Sequence, residues 1–168
     1  MSFSKTLMRR EFVMGLTLLG CGQTQYTPDV SQTSTYQEQD NSYQATPIIN
    51  ALRARYNLSP VTASHACAYA ALMQSRNMAR TGVFYHIING IGDEGQFKPR
   101  MKMSGVALPA AENIAFGQRS LERVMEVWTL SPGHLKNMIN PKYTQFAVAR
   151  AQHANTQNKI YWTMVLGA

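Results

Sequence analysis

The sequence predicts an α+β domain, and three observations predict it. Leu121, Val124, Met125 and Trp128 fall at i, i+3, i+4 and i+7, an apolar stripe of helical period, with Glu122, Arg123, Glu126 and Thr129 opposite. A second helical stretch contains the alanine-rich run Ala66 to Met73 and is apolar nearly all round, as a helix buried against more than one neighbour would be. The last third changes period: residues 143–150 and 160–166 are rich in β-branched and aromatic side chains and flank a polar loop, the pattern of a hairpin. With 168 residues, the chain has room for one domain of ordinary size plus appendages.

The first appendage covers residues 1–20. Lys5, Arg9 and Arg10 precede an apolar run from Phe12 to Gly20 that is too short to span a bilayer, so it reads as an export signal. Leu18-Leu19-Gly20-Cys21 resembles a bacterial lipobox, in which the cysteine is diacylated and becomes the mature amino terminus. Cys21 is therefore the expected lipidation site and membrane anchor. Arg9-Arg10-Glu11-Phe12-Val13 also resembles a twin-arginine signal, so both export routes stay open. The alternative is an ordinary signal peptide with Cys21 left to form a disulfide. Its sole partner would be Cys67, in the alanine-rich run, where a buried thiol behaves as a small hydrophobe. After Cys21, residues 22–43 hold no Lys or Arg and mainly Gln, Ser, Thr, Tyr and acids, the composition of a disordered tether. The domain proper is expected over residues 44–168.

Within the domain, Thr46-Pro47 is expected to start a helix through Ile48, Ile49, Leu52 and Tyr56 that stops at Asn57. The longest helix runs from a cap at Thr62 or Ser64 to Gly82, with His65, Tyr69, Arg76 and Arg80 along its wet edge. Three glycines within Asn89 to Gly95 mark a loop, and although Asp93 and Glu94 attract cations, their spacing matches no calcium loop. Gln96 to Ser104 reads as a short helix ended by Gly105. Ser131-Pro132-Gly133 ends the amphipathic helix, so His134 opens a new short segment. His153 falls in the hairpin loop and reads as a solvated residue.

The whole chain carries 16 basic and 9 acidic residues. With Lys5, Arg9, Arg10, Glu11, Asp29, Glu38 and Asp40 set aside, the domain keeps 13 basic and 5 acidic residues, a net +8. That balance favours anionic neighbours, and outside the cytoplasm these are lipid headgroups and cell-envelope polymers. No basic run with interleaved aromatics marks a nucleic-acid groove, which argues against nucleic acid as a partner.

The chemistry concentrates between Ala110 and Asn140. Glu112 and Asn113 interrupt an apolar run, and a carboxylate there is either exposed at a cleft or satisfied by partners. The segments around it resemble the CAP superfamily (cysteine-rich secretory protein, antigen five and pathogenesis-related), in its bacterial, SCP-like extracellular form. The likeness is carried by Asn57-Leu58-Ser59-Pro60-Val61, Met78 and Gly82, Val83-Phe84-Tyr85-His86, Arg100 and Gly105. Glu112-Asn113-Ile114-Ala115, Ser131-Pro132-Gly133-His134 with Asn137, and Tyr161-Trp162 with Gly167 complete it, in that order. It covers residues 44–168. The resemblance implies a three-layer α-β-α sandwich with a small antiparallel sheet, and a central cleft that unites His86, Glu112 and His134.

Two imidazoles and a carboxylate hold a divalent transition metal, zinc most readily, with a position open for water. Asn113, Ser131 and Asn137 would line the same cleft as binding residues. Ser131 stands where eukaryotic members carry a second glutamate. The same residues also suit a purely structural network in which Glu112 accepts the imidazole N–H groups. Three functions follow from the resemblance: a membrane-tethered binding or interaction module, a metal-dependent hydrolase of peptidase type with Glu112 as general base, and a sterol or fatty-acid binder. The binding module is preferred, because no His-Glu-x-x-His helix, Ser-His-acid set or reactive cysteine supports an enzyme.

Overall fold

A computed structural model describes residues 36–168. The export signal, Cys21 and most of the expected tether lie outside these described residues. In chain order the elements are β1 (Tyr36–Asp40), α1 (Ser42–Arg55), β2 (Thr62–Ala63), α2 (His65–Thr81), α3 (Phe97–Ser104), β3 (Ala110–Phe116), α4 (Leu121–Leu130), α5 (Pro132–Met138), β4 (Gln145–His153) and β5 (Tyr161–Gly167). Short 3₁₀ turns at Gly92–Gly95 and Ala154–Thr156 complete the set.

The sheet runs in the order β1-β4-β5-β3, each neighbour antiparallel, and the two-residue β2 pairs parallel to the start of β4. Alternation along the strands makes three layers of it. Phe146, Val148, Trp162, Met164 and Leu166 face α1, α4 and α5, where Ile49, Leu52, Val124, Met125, Trp128 and Met138 complete one core. Ala147, Ala149 and Val165 face the other way, onto Cys67, Ala68, Ala70 and Ala71 of α2 and Met101 of α3. Alanines on both sides let α2 lie close to the sheet, so the Ser75 hydroxyl reaches the Ala149 carbonyl and the Thr163 hydroxyl at 3.2 and 2.9 Å. The α-β-α sandwich expected from the sequence is the observed fold.

Helix ends follow local chemistry. Ser64 precedes α2, and Gly82 and Gly105 end α2 and α3 in the left-handed conformation, φ +73° in both, which glycine adopts without cost. The Ser120 hydroxyl accepts the Arg123 backbone N–H at 3.2 Å and caps α4. Pro132 occupies the first turn of α5, where no intrahelical donor is needed.

Three expectations need correction. Helix α1 begins at Ser42, and Pro47 lies inside it. The proline removes only the hydrogen bond to the carbonyl of Tyr43 in the opening turns, and Tyr43 is at the surface, 86 % exposed. The folded part also begins before residue 44: Tyr36–Asp40 pairs with His153 back to Ala149, and Glu38 takes a two-pronged contact from Arg76 at 2.6 and 2.8 Å. A polar strand forms here because β4 supplies its ladder and α2 its counter-charge. His153 is buried rather than solvated: it closes β4, its Nδ1 accepts the Asn155 backbone N–H at 3.0 Å, and Tyr36 meets its ring edge-on at 4.5 Å.

Because β1 belongs to the fold, a chain starting at residue 44 is expected to be about 1 to 3 kcal/mol less stable than one starting at residue 36. Denaturant melts of the two would show it, and coincident transitions would mean that β1 is dispensable.

Candidate functional site

Strand β3 is the edge of the sheet beside β5, and its alternation sends neighbouring side chains to opposite layers. Glu112 turns toward α3. Asn113 turns toward α5. The site is built around this edge, one half from each face.

On the α3 side, Glu112 is 1 % exposed as a side chain, and both its oxygens are engaged. Oε2 receives Nη2 of Arg100 at 2.8 Å, and Oε1 lies 3.0 Å from Nδ1 of His86. Arg100 is wholly buried, and its guanidinium also donates to the carbonyls of Glu94 and His86 at 2.9 and 3.4 Å. A buried carboxylate is tolerated on these terms because a cation and hydrogen bonds replace its water.

The loop that carries His86 is fixed at both ends. Phe84 packs edge-on against Phe116 at 4.7 Å, and the buried Ile88 donates its N–H to the Gly95 carbonyl at 2.9 Å. Gly95 permits that approach, since a Cβ there would lie 2.0 Å from the Ile88 carbonyl oxygen. His86 keeps a half-exposed ring. Its Nδ1 faces the carboxylate, and in the neutral tautomer that donates there Nε2 is an acceptor.

On the α5 side, Asn113 is fully buried and donates to the His134 carbonyl at 3.1 Å, while accepting from Nδ2 of Asn137 at 2.8 Å. The two asparagines thus bond to each other, and Asn113 holds the histidine by its backbone. Ser131 is half-buried at the joint between α4 and α5, where its carbonyl accepts the Leu135 N–H at 2.8 Å. His134, in the first turn of α5, is half-buried, and its Nδ1 is enclosed with no partner among the described residues. Burial pushes its pKa below the ordinary value, and the charge of His86 adds to that shift.

His86 and Glu112 are thus in direct contact, while His134 is held by its backbone to Asn113, the next residue of the same strand. Among the described residues no group of three His, Cys, Asp or Glu side chains is placed to hold a metal ion. Both oxygens of Glu112 are occupied, one by Arg100 and the other by His86. Arg100 is the site residue that the sequence reading left unassigned. The available signal was a carboxylate in an apolar run, which demands a buried cation.

An α-β-α sandwich with a histidine on either side of its edge strand defines the class. The family model "CAP: Cysteine-rich secretory protein family" matches residues 48–166, and the chain belongs to that family. Over 102 residues it is 32% identical to the uncharacterized protein YkwD of Bacillus subtilis, covering 60% of this chain and 38% of that protein. The uncharacterized membrane protein YlbC of the same organism is 28% identical over 114 residues, covering 67% of this chain and 32% of that one. The chain therefore spans less than half the length of these curated relatives. Two solved structures share the fold. An extracellular protein containing an SCP domain from Bacillus anthracis superposes with TM-score 0.64 at 24% identity, covering 76% of this chain and 40% of that one. An outer surface protein from Borrelia burgdorferi gives 0.65 at 20%, covering 78% and 96%.

The depressed His134 pKa makes a pH prediction. The unfolded chain, titrating near 6.5, takes up the proton that the fold resists, so stability is lost as pH falls through 6.5 toward the lower folded value. Melting temperature should fall over that window for the parent and fall less for His134→Gln. Parallel curves would remove His134 as the cause.

Proposed function

We propose that this chain is an exported, surface-held binding module whose ligand rests against the imidazoles of His86 and His134. One observation carries the reading. Glu112, clamped by Arg100, holds Nδ1 of His86 on a half-exposed ring, and Asn113, the next residue of β3, holds the backbone of His134. Such a pair offers two imidazoles on fixed backbones. A hydrolase using Glu112 as general base is disfavoured, since water has no approach to that carboxylate.

The donors that remain for zinc or another divalent ion are the two imidazoles, with Glu112 serving His86 from behind. Zinc titration of the purified protein tests this assignment. His86→Ala and His134→Ala should each abolish zinc uptake, and Glu112→Gln should weaken it about 10- to 100-fold. Abolition by Glu112→Gln would make Glu112 a ligand, and a parent that takes up no zinc removes the metal from the reading.

Export and tethering are supported by the Leu18-Leu19-Gly20-Cys21 motif and by relatives described as an extracellular protein, an outer surface protein and a membrane protein. No helix among the described residues is long and apolar enough to cross a membrane. The proposed anchor is a lipid on Cys21, on the strength of the lipobox motif. Cys21→Ser should move the protein from the membrane fraction to the soluble one and block incorporation of labelled fatty acid. Unchanged partition would refute the lipid anchor.

A further inference from the structure

Two open cavities of about 530 and 510 Å³ adjoin at Gly117 and Arg119, which line both. Together they make one groove, from Ser120 and Arg123 at the start of α4 to the hairpin loop at Thr156 and Lys159. No acidic side chain lines it. Two further cavities differ in this: Asp93 lines the one against α3, and Glu122 and Glu126 line the one between α1 and α4. Arg123 is neutralised by Glu126 at 2.6 Å, but Arg119 has no carboxylate partner among the described residues. Lys159 places its ammonium 5.1 Å from the centre of the Phe116 ring, a contact that holds the cation without cancelling it.

Hydrogen bonds tie the walls of the groove together. Gly117 donates to the Ile160 carbonyl at 2.8 Å, Gln152 Nε2 to the Asn158 carbonyl at 2.6 Å, and the Lys159 N–H to the Thr156 carbonyl at 3.0 Å. Gln157 and Asn158 are both held at φ +55°. Its polar lining is otherwise made of amides and hydroxyls, groups that both donate and accept. Fixed cations spaced among such groups match a polymer carrying negative charges and hydroxyls together. The aromatic surface suits bases poorly, because Phe84, Tyr161 and Lys159 already engage the Phe116 ring.

We propose that this groove binds a strand of anionic polysaccharide, with Arg119 and Lys159 taking its carboxylates or phosphates and the amides of Gln157 and Asn158 its hydroxyls. The site is separate from the histidine cleft, so His86 and His134 variants should bind the strand as the parent does.

The test titrates the full chain with oligogalacturonate of about ten units, with dextran of the same length and with oligothymidylate of the same charge. Oligogalacturonate should bind saturably and dextran not at all. Arg119→Gln with Lys159→Gln should weaken oligogalacturonate roughly tenfold or more, and both positions are exposed, so the fold is retained. Lys98→Gln with Lys102→Gln, which removes the same charge from the cavity against α3, should leave binding unchanged. Absent binding, equal losses in the two double variants, or oligothymidylate held as tightly through the same residues would each overturn the proposal.

Discussion

The site depends on one buried ion pair. Arg100 and Glu112 come from a short helix and an edge strand that have no other polar reason to meet, and their contact is shut away from water. Removing either partner would strand a charge in the interior, a far larger penalty than losing a surface pair. The pair therefore ties three things at once: the middle of the loop after α2, through the His86 carbonyl; the 3₁₀ turn, through the Glu94 carbonyl; and the imidazole of His86, through the second carboxylate oxygen. The carboxylate is a holder of other groups.

The sheet decides where the cleft falls. An interior strand would have separated the α2–α3 layer from the α1–α4–α5 layer completely. An edge strand lets the two layers approach around its free side, so adjacent residues Glu112 and Asn113 organise one histidine each. Trp128 reinforces that edge by donating its indole N–H to the Ile114 carbonyl at 3.3 Å, closing an acceptor that an edge strand otherwise leaves open. Arg53 plays a comparable part at the other end of the fold, where its buried guanidinium gathers the carbonyls of Ser59, Met138, Asn140 and Tyr143.

Elements set by near neighbours were legible in the sequence. The stripe of α4, the span of α2 and the glycine stops at 82 and 105 each follow from residues three or four positions apart. The hairpin of β4 and β5 was legible for the same reason. Strands β1 and β3 were not, because their pairing partners lie far along the chain and their compositions, YQEQD and AAENIAF, carry little strand signal alone. His153 shows the same limit: its position in a polar stretch suggested solvent, and only the arrival of Tyr36 covers it. At the site, His86, Glu112 and His134 were named from motif order alone, whereas the ion pair that buries Glu112 required Arg100, whose burial no local pattern announces.

The place of β1 has a mechanical consequence. Any tension entering the domain from its amino-terminal side arrives first at Tyr36, and must work against the ladder with β4 and the Glu38–Arg76 clasp before it reaches α1. Those contacts sit at the rim of the sheet, on its edge strand. A pull can therefore peel β1 away as a sacrificial clasp while both histidines keep their geometry. Length gained in this way would let the domain move outward from whatever holds its amino terminus without unfolding.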